Sequence, residues 1–360
     1  MSTMDLHQKD LQKDLAEEEL QEQLASAFTE LSRELGSHVW QNYDIGHLTT
    51  YRVGGAAAVY VVAQSLEDLE VIYRILNGIA YSGPLLVLGK GSNLLVADGG
   101  FPGIAVSLGA SFGRLGVPGD SISEILPMAG YAGLKSGTGV TVRAGGILPL
   151  PVLARKCVSA GLLGVEWCVG IPGSVGGAVK MNAGGHGSDM AGILAGCTVF
   201  NLSSGYSEWR KVDDLHPAYR SSDISADDVV LFADMALVAG DSRLGRMRIA
   251  EIVRWRRENQ PGGSNAGSVF VNPPEAPAGM LVEEAGLKGA RIGTAQVSEK
   301  HGNFIQVDDG GSANDVYELI CQVREMVKDS CGVELKTELR LVGWPVVDDF
   351  PVAHRVSDSH

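Results

Sequence analysis

Seven glycines fall within positions 164–185, GVEWCVGIPGSVGGAVKMNAGG: Gly164, Gly170, Gly173, Gly176, Gly177, Gly184 and Gly185. Glycine is costly in backbone entropy, so this density needs a physical reason. Main-chain N–H groups with no Cβ in the way can line a concave anion site or approach a flat ligand closely. Pro172 removes one donor and fixes its own φ, which shapes the loop further. A glycine-rich turn between strands with no ligand is the alternative that composition leaves open. A second loop, GKGSN at 89–93, follows the apolar run PLLVL. Its lysine is not a Walker A lysine: Gly83 stands one residue too far from it, and Gly91 follows Lys90 where Ser or Thr is required. No GxGxxG opens a helix, so a Rossmann dinucleotide fold is not supported.

Six arginines sit in the fifteen residues of RLGRMRIAEIVRWRR, 243–257, with Met247, Ile249, Ile252 and Val253 spaced as a helical face. A solvated basic helix and a helix that helps hold a diphosphate are both open readings. Either is a local reversal in a chain of net charge −14, which argues against a general nucleic-acid binder. The five cysteines, Cys157, Cys168, Cys197, Cys321 and Cys331, form no C-x-x-C pair and no zinc spacing. They read as reduced thiols of a cytoplasmic protein. No metal is expected, since HExxH and EF-hand loops are absent, and GxSxG is absent too. No window of about 18 apolar residues calls for a membrane span, and the acidic, polar N-terminus fits no secretory signal.

Around these loops the pattern is α+β. Residues 1–36 read as an amphipathic helix with Leu20, Leu24, Phe28 and Leu31 on one face. TYRVGGAAAVYVVA reads as a glycine turn feeding a strand, and Ser65 caps the helix SLEDLEVIYRIL. Residues 109–139 read as loop and short strand. LPVLARKCVSAGL is a helix ended by Gly161. CTVFNL, EWRKV and VVLFADMALV are strands, NDVYELICQVREMV a helix, and VELKTELRLVG a strand by alternation. At 360 residues, with 45% hydrophobic content and about twice the usual share of glycine (47), the chain suits two or three domains with many tight turns. Composition shifts near 241–246.

Taken in order, YRVGG, LGKGSNLLV, GVEWCVGIPGSVGGAVKMNAGG, YRSSD, AGSVFVNP, AGLKGARIG, VSEKHGNFI and VELKTELRLVG resemble the UDP-N-acetylenolpyruvoylglucosamine reductase (MurB) family over about residues 48–345. The resemblance implies an FAD-binding domain of the vanillyl-alcohol-oxidase (PCMH) type followed by an α/β substrate-binding domain, with the C-terminal strand returning to the active site. The implied division is a helical lead-in at 1–44, an FAD-binding region of two subdomains at 45–242, a substrate-binding domain at 243–345 and a tail at 346–360. The short connection from Tyr219 and Arg220 to Ser268 resembles the subclass that lacks an extra tyrosine-bearing substrate loop.

The implied reaction belongs to peptidoglycan precursor synthesis. NADPH reduces FAD, and hydride then passes to the terminal vinyl carbon of UDP-N-acetylglucosamine-enolpyruvate, giving UDP-N-acetylmuramate. Negative charge builds on the neighbouring carbon and its carboxylate, which calls for a fixed cation and donors in a dry site. By motif position, Arg220 matches the family's catalytic arginine. A guanidinium stays charged and offers two donors to a carboxylate. Ser268 matches the proton donor, and Glu338 the catalytic glutamate, whose pKa desolvation can raise. Glu334, four residues earlier in the same alternation, competes for that role. Arg340 shares the face of Glu338 and is expected to approach the flavin.

The resemblance assigns FAD to Gly54, Gly55, Gly89, Gly91, Ser92, Asn93, Ile171, Pro172, Gly173, Ser174, Gly177 and Asn182. It assigns the UDP-sugar to Tyr219, Asn272, Arg256 and Asn303. The sequence departs from the family where Val271 and Asn259 stand in place of frequent lysines, and where Val307 ends FIQV in place of Asn. The Arg254–Arg257 cluster is a candidate replacement for the lost cations. A monomer is expected. An FAD-dependent alcohol oxidase and a non-catalytic nucleotide-sugar sensor are the competing readings. The C-terminal motifs argue against the first, and the presence of all three chemical residues against the second.

Overall fold

The computed structural model describes residues 3–116 and 139–344, with side chains described from Leu15 onward. The expected loop at 109–139 falls largely, and the tail at 346–360 wholly, outside these residues. The described elements form three larger sheets with helices packed on them, together with two two-stranded pairs.

The first sheet starts inside the segment expected to be a helical lead-in. Helix α1 (Thr3–Leu35) is followed by strand β1 (Val39–Asp44), which pairs antiparallel with β2 (Ala56–Ala63). The unit continues through α2 (Leu66–Gly78), β3 (Leu85–Val87), β4 (Leu94–Val96) and β5 (Phe101–Leu108). Its order is β1-β2-β5-β3, with β5 parallel to both β2 and β3. Ser65 Oγ accepts from Asp68 N at 3.2 Å, so the sequence cap holds. Leu24, Ala27 and Leu31 of α1 are buried with Leu69 and Ile72 of α2 against Val59, Val61, Ile104 and Val106. The N-terminal helix therefore covers this sheet along the stripe its periodicity marks.

The second sheet comprises β6 (Leu115–Gly116), β7 (Gly139–Gly145), β8 (Leu162–Leu163), β11 (Leu194–Asn201), β12 (Ser207–Lys211) and β13 (Asp228–Ala239), with β13 central. Two-residue strands β9 (Gly184–Gly185) and β10 (Ser188–Asp189) make a separate hairpin. Helices α3 (Leu150–Ser159), α4 (Val175–Lys180) and α5 (Ser242–Asn259) accompany the sheet. Strand β13 is apolar on both faces because it has a core on each side. Val229 and Leu231 join the first core, while Val230, Ala233, Met235 and Leu237 join the second. A register shift opposite Thr198 and Val199 accounts for the change of parity along the strand.

On α5 the packing stripe runs through Gly245, Ile249, Ile252 and Arg256, at helical spacing against the second core. Met247 (55% exposed) and Val253 (43%) lie off it, contrary to the apolar face expected from sequence. Gly245 has no room for a side chain, since a Cβ would come within 2.7 Å of Val158.

The third unit contains α6 (Ala278–Glu284), the antiparallel strands β14 (Arg291–Ile292), β15 (Ala295–Val297) and β16 (Ile305–Val307), and α7 (Ala313–Cys331). The strand expected over VELKTELRLVG shrinks to β17 (Arg340–Val342), which returns to pair parallel with β4. Leu335, Thr337 and Leu339 are buried in alternation, and Thr337 makes a single bridge to Phe270 in place of a continuous ladder. Tyr51, Val53 and Leu95 of the first unit enter the third core, which ties the two together.

One buried ion pair stiffens the second sheet. Arg143 of β7 donates through Nε (2.6 Å) and Nη2 (2.8 Å) to Asp234 of β13, which also accepts Trp209 Nε1 at 3.0 Å. Removing one partner of such a pair leaves a charge uncompensated. Asp234→Ala should lower the unfolding free energy by about 3–5 kcal/mol in denaturant titration. A loss below about 1 kcal/mol would show that Arg143 finds equivalent partners elsewhere.

Candidate active site

The two glycine loops face each other. The 89–93 loop joins β3 to β4, and the 171–174 loop leads into α4, whose first turn holds Gly176 and Gly177. A Cβ on Gly89 would lie 2.8 Å from Ser174 Oγ, and one on Gly173, whose φ is +130°, would lie 2.7 Å from Ser92 Oγ. Side chains there would close the slot between the loops. Between them lies a cavity of ≈270 Å³. Gly89, Gly91, Ser92 and Asn93 line one side, and Ile171, Pro172, Gly173, Ser174 and Gly177 the other.

Three assigned cofactor residues lie outside this lining. A Cβ on Gly54 would meet Val96 O at 2.2 Å, and on Gly55 Asp98 O at 2.5 Å, so these glycines admit the protein's own backbone. Asn182, at φ +38°, is 7% exposed; it donates to Ala218 O (2.9 Å) and accepts from Ala191 N (2.9 Å). It braces the loop that carries Arg220.

Arg220 occupies the left-handed region at φ +58°, in a tight turn closed by Ala218 and Ser221. A bulky residue held there signals local constraint. Ser222 Oγ donates to Lys180 O at 2.8 Å and fastens this turn to the end of α4. The guanidinium then reaches into the cavity, where its Nε stands 2.7 Å from Glu338 Oε1 and its Nη1 donates to Gly184 O at 3.1 Å.

Glu338 arrives from the returning segment. Its N–H donates to Val269 O at 2.8 Å, immediately after Ser268, and its own C=O accepts Asn93 Nδ2 at 3.0 Å. Arg340 N donates in turn to Asn93 O at 3.1 Å. Arg220, Ser268 and Glu338 thus line one cavity together with the glycine loops, and Arg340 lines it too. Glu334 is excluded from it. That side chain is exposed and faces Lys328 at 3.5 Å.

The residues assigned to the sugar nucleotide divide. Arg256 lines the cavity and donates to Gln260 Oε1 at 2.7 Å; among the described residues it is the one arginine of the 243–257 cluster to do so. Tyr219 is 59% exposed, lies beneath the Arg220 guanidinium with 5.2 Å from Cζ to ring centroid, and faces a neighbouring cavity. Asn303 is 3% exposed and spends its amide on Phe270, accepting from N and donating to O at 2.8 Å each. Asn272 accepts from Ala278 N at 3.0 Å and starts α6. Neither lines either cavity: Asn303 holds Phe270, two residues after Ser268, and Asn272 holds the start of α6.

Sequence reasoning passed over Lys180. Half-buried at the end of α4, it lines both cavities and donates to Ser225 O at 2.7 Å. Burial, reinforced by Arg340 and opposed by Asp228 and Asp227, pushes its pKa down to about 8. A lysine inside an otherwise small and apolar run was the available signal.

Burial raises the Glu338 pKa above the usual carboxylate range, and Arg220 partly offsets this. The guanidinia of Arg256 and Arg340 are lowered by burial. A flavin dinucleotide suits these surroundings, with backbone close enough for a flat ring, Ser and Asn side chains to hydrogen-bond it, and cations for its diphosphate.

Fold and cavity together define a flavin-binding oxidoreductase. Residues 56–205 match the family of the FAD binding domain, and residues 259–342 match that of the UDP-N-acetylenolpyruvoylglucosamine reductase C-terminal domain. The chain belongs to the UDP-N-acetylenolpyruvoylglucosamine reductase family of FAD-dependent enzymes. It is 37% identical to that reductase from Syntrophus aciditrophicus over 82% of this chain and 89% of the relative. The Bacillus subtilis reductase is 36% identical over 86% of this chain and 96% of the relative. The crystal structure of the Thermus caldophilus reductase superposes with TM-score 0.68 at 33% identity, covering 85% of this chain and 98% of that one.

The ion pair has a titration signature. Arg220 pulls the Glu338 pKa down against burial, so Arg220→Met should move the Glu338 protonation step to higher pH. Infrared difference spectra of the carboxyl band, assigned with Glu338→Gln, read this directly. A step that moves to lower pH would contradict the assigned balance.

Proposed function

We propose that this chain reduces the enolpyruvyl group of UDP-N-acetylglucosamine-enolpyruvate to UDP-N-acetylmuramate with NADPH, in peptidoglycan precursor synthesis. The observation that carries the reading is the 2.7 Å Arg220–Glu338 pair in one cavity with Ser268, beside the glycine loops. When bound, FAD supplies the hydride relay from NADPH to the terminal vinyl carbon.

The chain's own residues handle charge and proton. Arg220 binds the enolpyruvyl carboxylate and neutralises the charge that grows on it. Its unusual backbone conformation and its bond to Gly184 O fix the guanidinium before substrate arrives, so little reorganisation accompanies the chemistry. Ser268 gives its hydroxyl proton to the carbon next to that carboxylate. A serine hydroxyl is a weak acid, but an enolate carbon is a strong base opposite it. Glu338 holds Arg220 in place and, with its pKa raised, is suited to carry a proton near the reacting carbon. Arg256 and Arg340 balance phosphate charge at the cavity wall.

The same reading takes residues 45–242 as the FAD-binding region and 243–345 as the substrate-binding domain, the latter opening with α5. It also takes the enzyme to be a cytoplasmic monomer. Among the described residues no helix is long and apolar enough to cross a membrane, which is compatible with that setting.

Ser268→Ala separates the two half-reactions. Reduction of the bound flavin by NADPH should proceed at the wild-type rate, while reoxidation by the enolpyruvyl nucleotide should slow by about 10²–10⁴-fold in anaerobic stopped-flow absorbance. Unchanged reoxidation would remove Ser268 from the proton-donor role.

A further inference from the structure

Beside the cavity of Arg220, Ser268 and Glu338 lies a second one, of ≈340 Å³, which shares with it Lys180, Met181, Arg220, Glu338 and Arg340. The charges of the second cavity do not balance. Lys180, Arg220 and Arg340 bring three cations against the single carboxylate of Glu338, which Arg220 already engages. The rest of its described lining adds hydroxyls and apolar groups but no further acid.

Two polar groups there have capacity to spare. Thr337 is 5% exposed, and its Oγ1 has no hydrogen-bond partner among the described residues. A buried hydroxyl without a partner is costly unless something else satisfies it. Lys180 commits one of its three N–H donors to Ser225 O. Both residues line the same space, Thr337 from the returning segment and Lys180 from α4.

Resting on the reductase reading above, we propose that the second cavity is an anion subsite in which Lys180 and the Thr337 hydroxyl hold an oxyanion of the nucleotide substrate. That substrate offers two such groups, its diphosphate and its carboxylate, and both accept hydrogen bonds from an ammonium and a hydroxyl. Arg220 lies on the wall between the cavities, so one anion in the second cavity fixes the substrate while another meets the guanidinium from the first.

The charge on Lys180 is conditional on pH. Arg340, Arg220, Glu338 and Tyr219 share its cavity, and Asp228 at the start of β13 and Asp227 just before it act on it, Asp228 being paired with Arg210. With a pKa of about 8, the ammonium loses its proton as pH rises through that value, and affinity for the anion falls with it.

Calorimetric titration of the flavin-loaded protein tests this with two probes. UDP-N-acetylglucosamine carries the diphosphate alone, and UDP-N-acetylmuramate carries diphosphate and carboxylate. Lys180→Met should weaken at least one probe by about tenfold and remove the fall in affinity above pH ~8. Weakening of both assigns the subsite to the diphosphate, and weakening of the second alone assigns it to the carboxylate. Thr337→Val should weaken the same probe, and Thr337→Ser should retain it, which keeps the test decisive if Lys180→Met does not hold flavin. Wild-type affinity for both probes in Lys180→Met and Thr337→Val overturns the proposal. If the wild-type protein binds neither nucleotide, the reductase reading itself fails and takes this subsite with it.

Discussion

The site depends on one desolvated carboxylate with a cation against it. Glu338 is drawn out of water by the returning segment, which makes its charge costly, and Arg220 Nε at 2.7 Å compensates. Neither group would hold its position alone. Arg220 needs the Asn182 brace and the Ser222 tether to keep its turn closed. Glu338 needs Val269 O to accept its N–H and Asn93 Nδ2 to donate to its C=O. Through these four contacts the 89–93 loop, the Ser268 loop, the 216–223 loop and the C-terminal segment meet at one point. Residues far apart in sequence become neighbours because β17 runs back beside β4.

Charge distribution follows the same logic. The chain carries −14 overall, yet Lys180, Arg220, Arg256 and Arg340 line the cavity wall. Low-dielectric walls concentrate such a field where an anionic nucleotide must bind, and the acidic remainder keeps other polyanions away. Burial loosens the hold on the proton at Lys180 and tightens it at Glu338, lowering one pKa and raising the other. Two groups that titrate toward neutral pH from opposite sides are useful where a proton must be held and then delivered.

Much of this was legible before the fold was known. Glycine density at 89–93 and 164–185 marked the two facing loops, because close backbone approach demands glycine whether or not the partner is known. Ordered motifs marked Arg220, Ser268 and Glu338. Other assigned residues stand outside the cavity lining, for identifiable reasons. Gly54 and Gly55 satisfy the same steric demand, but toward Val96 and Asp98 of the protein, and sequence cannot distinguish a ligand from a neighbouring strand. Asn272 and Asn303 sit in matching motifs, yet the Asn303 amide is spent on Phe270 and the Asn272 oxygen on Ala278 N. Alternation in VELKTELRLVG suggested a long strand with Glu334 and Glu338 on one face. The alternation holds, with Leu335, Thr337, Leu339 and Leu341 buried, but of the two glutamates only Glu338 reaches the cavity, while Glu334 lies at the surface beside Lys328. Lys180 escaped notice because its importance comes from β13 and the returning segment, which approach it only in three dimensions.

The central claim is that this convergence of guanidinium, hydroxyl and carboxyl serves reduction of an enolpyruvyl nucleotide by a flavin. Anaerobic titration of the wild-type holoprotein tests it most directly. Stoichiometric NADPH should bleach the blue absorbance, and subsequent addition of UDP-N-acetylglucosamine-enolpyruvate should restore it while forming UDP-N-acetylmuramate. A bleached protein that stays reduced in the presence of that nucleotide would contradict the account.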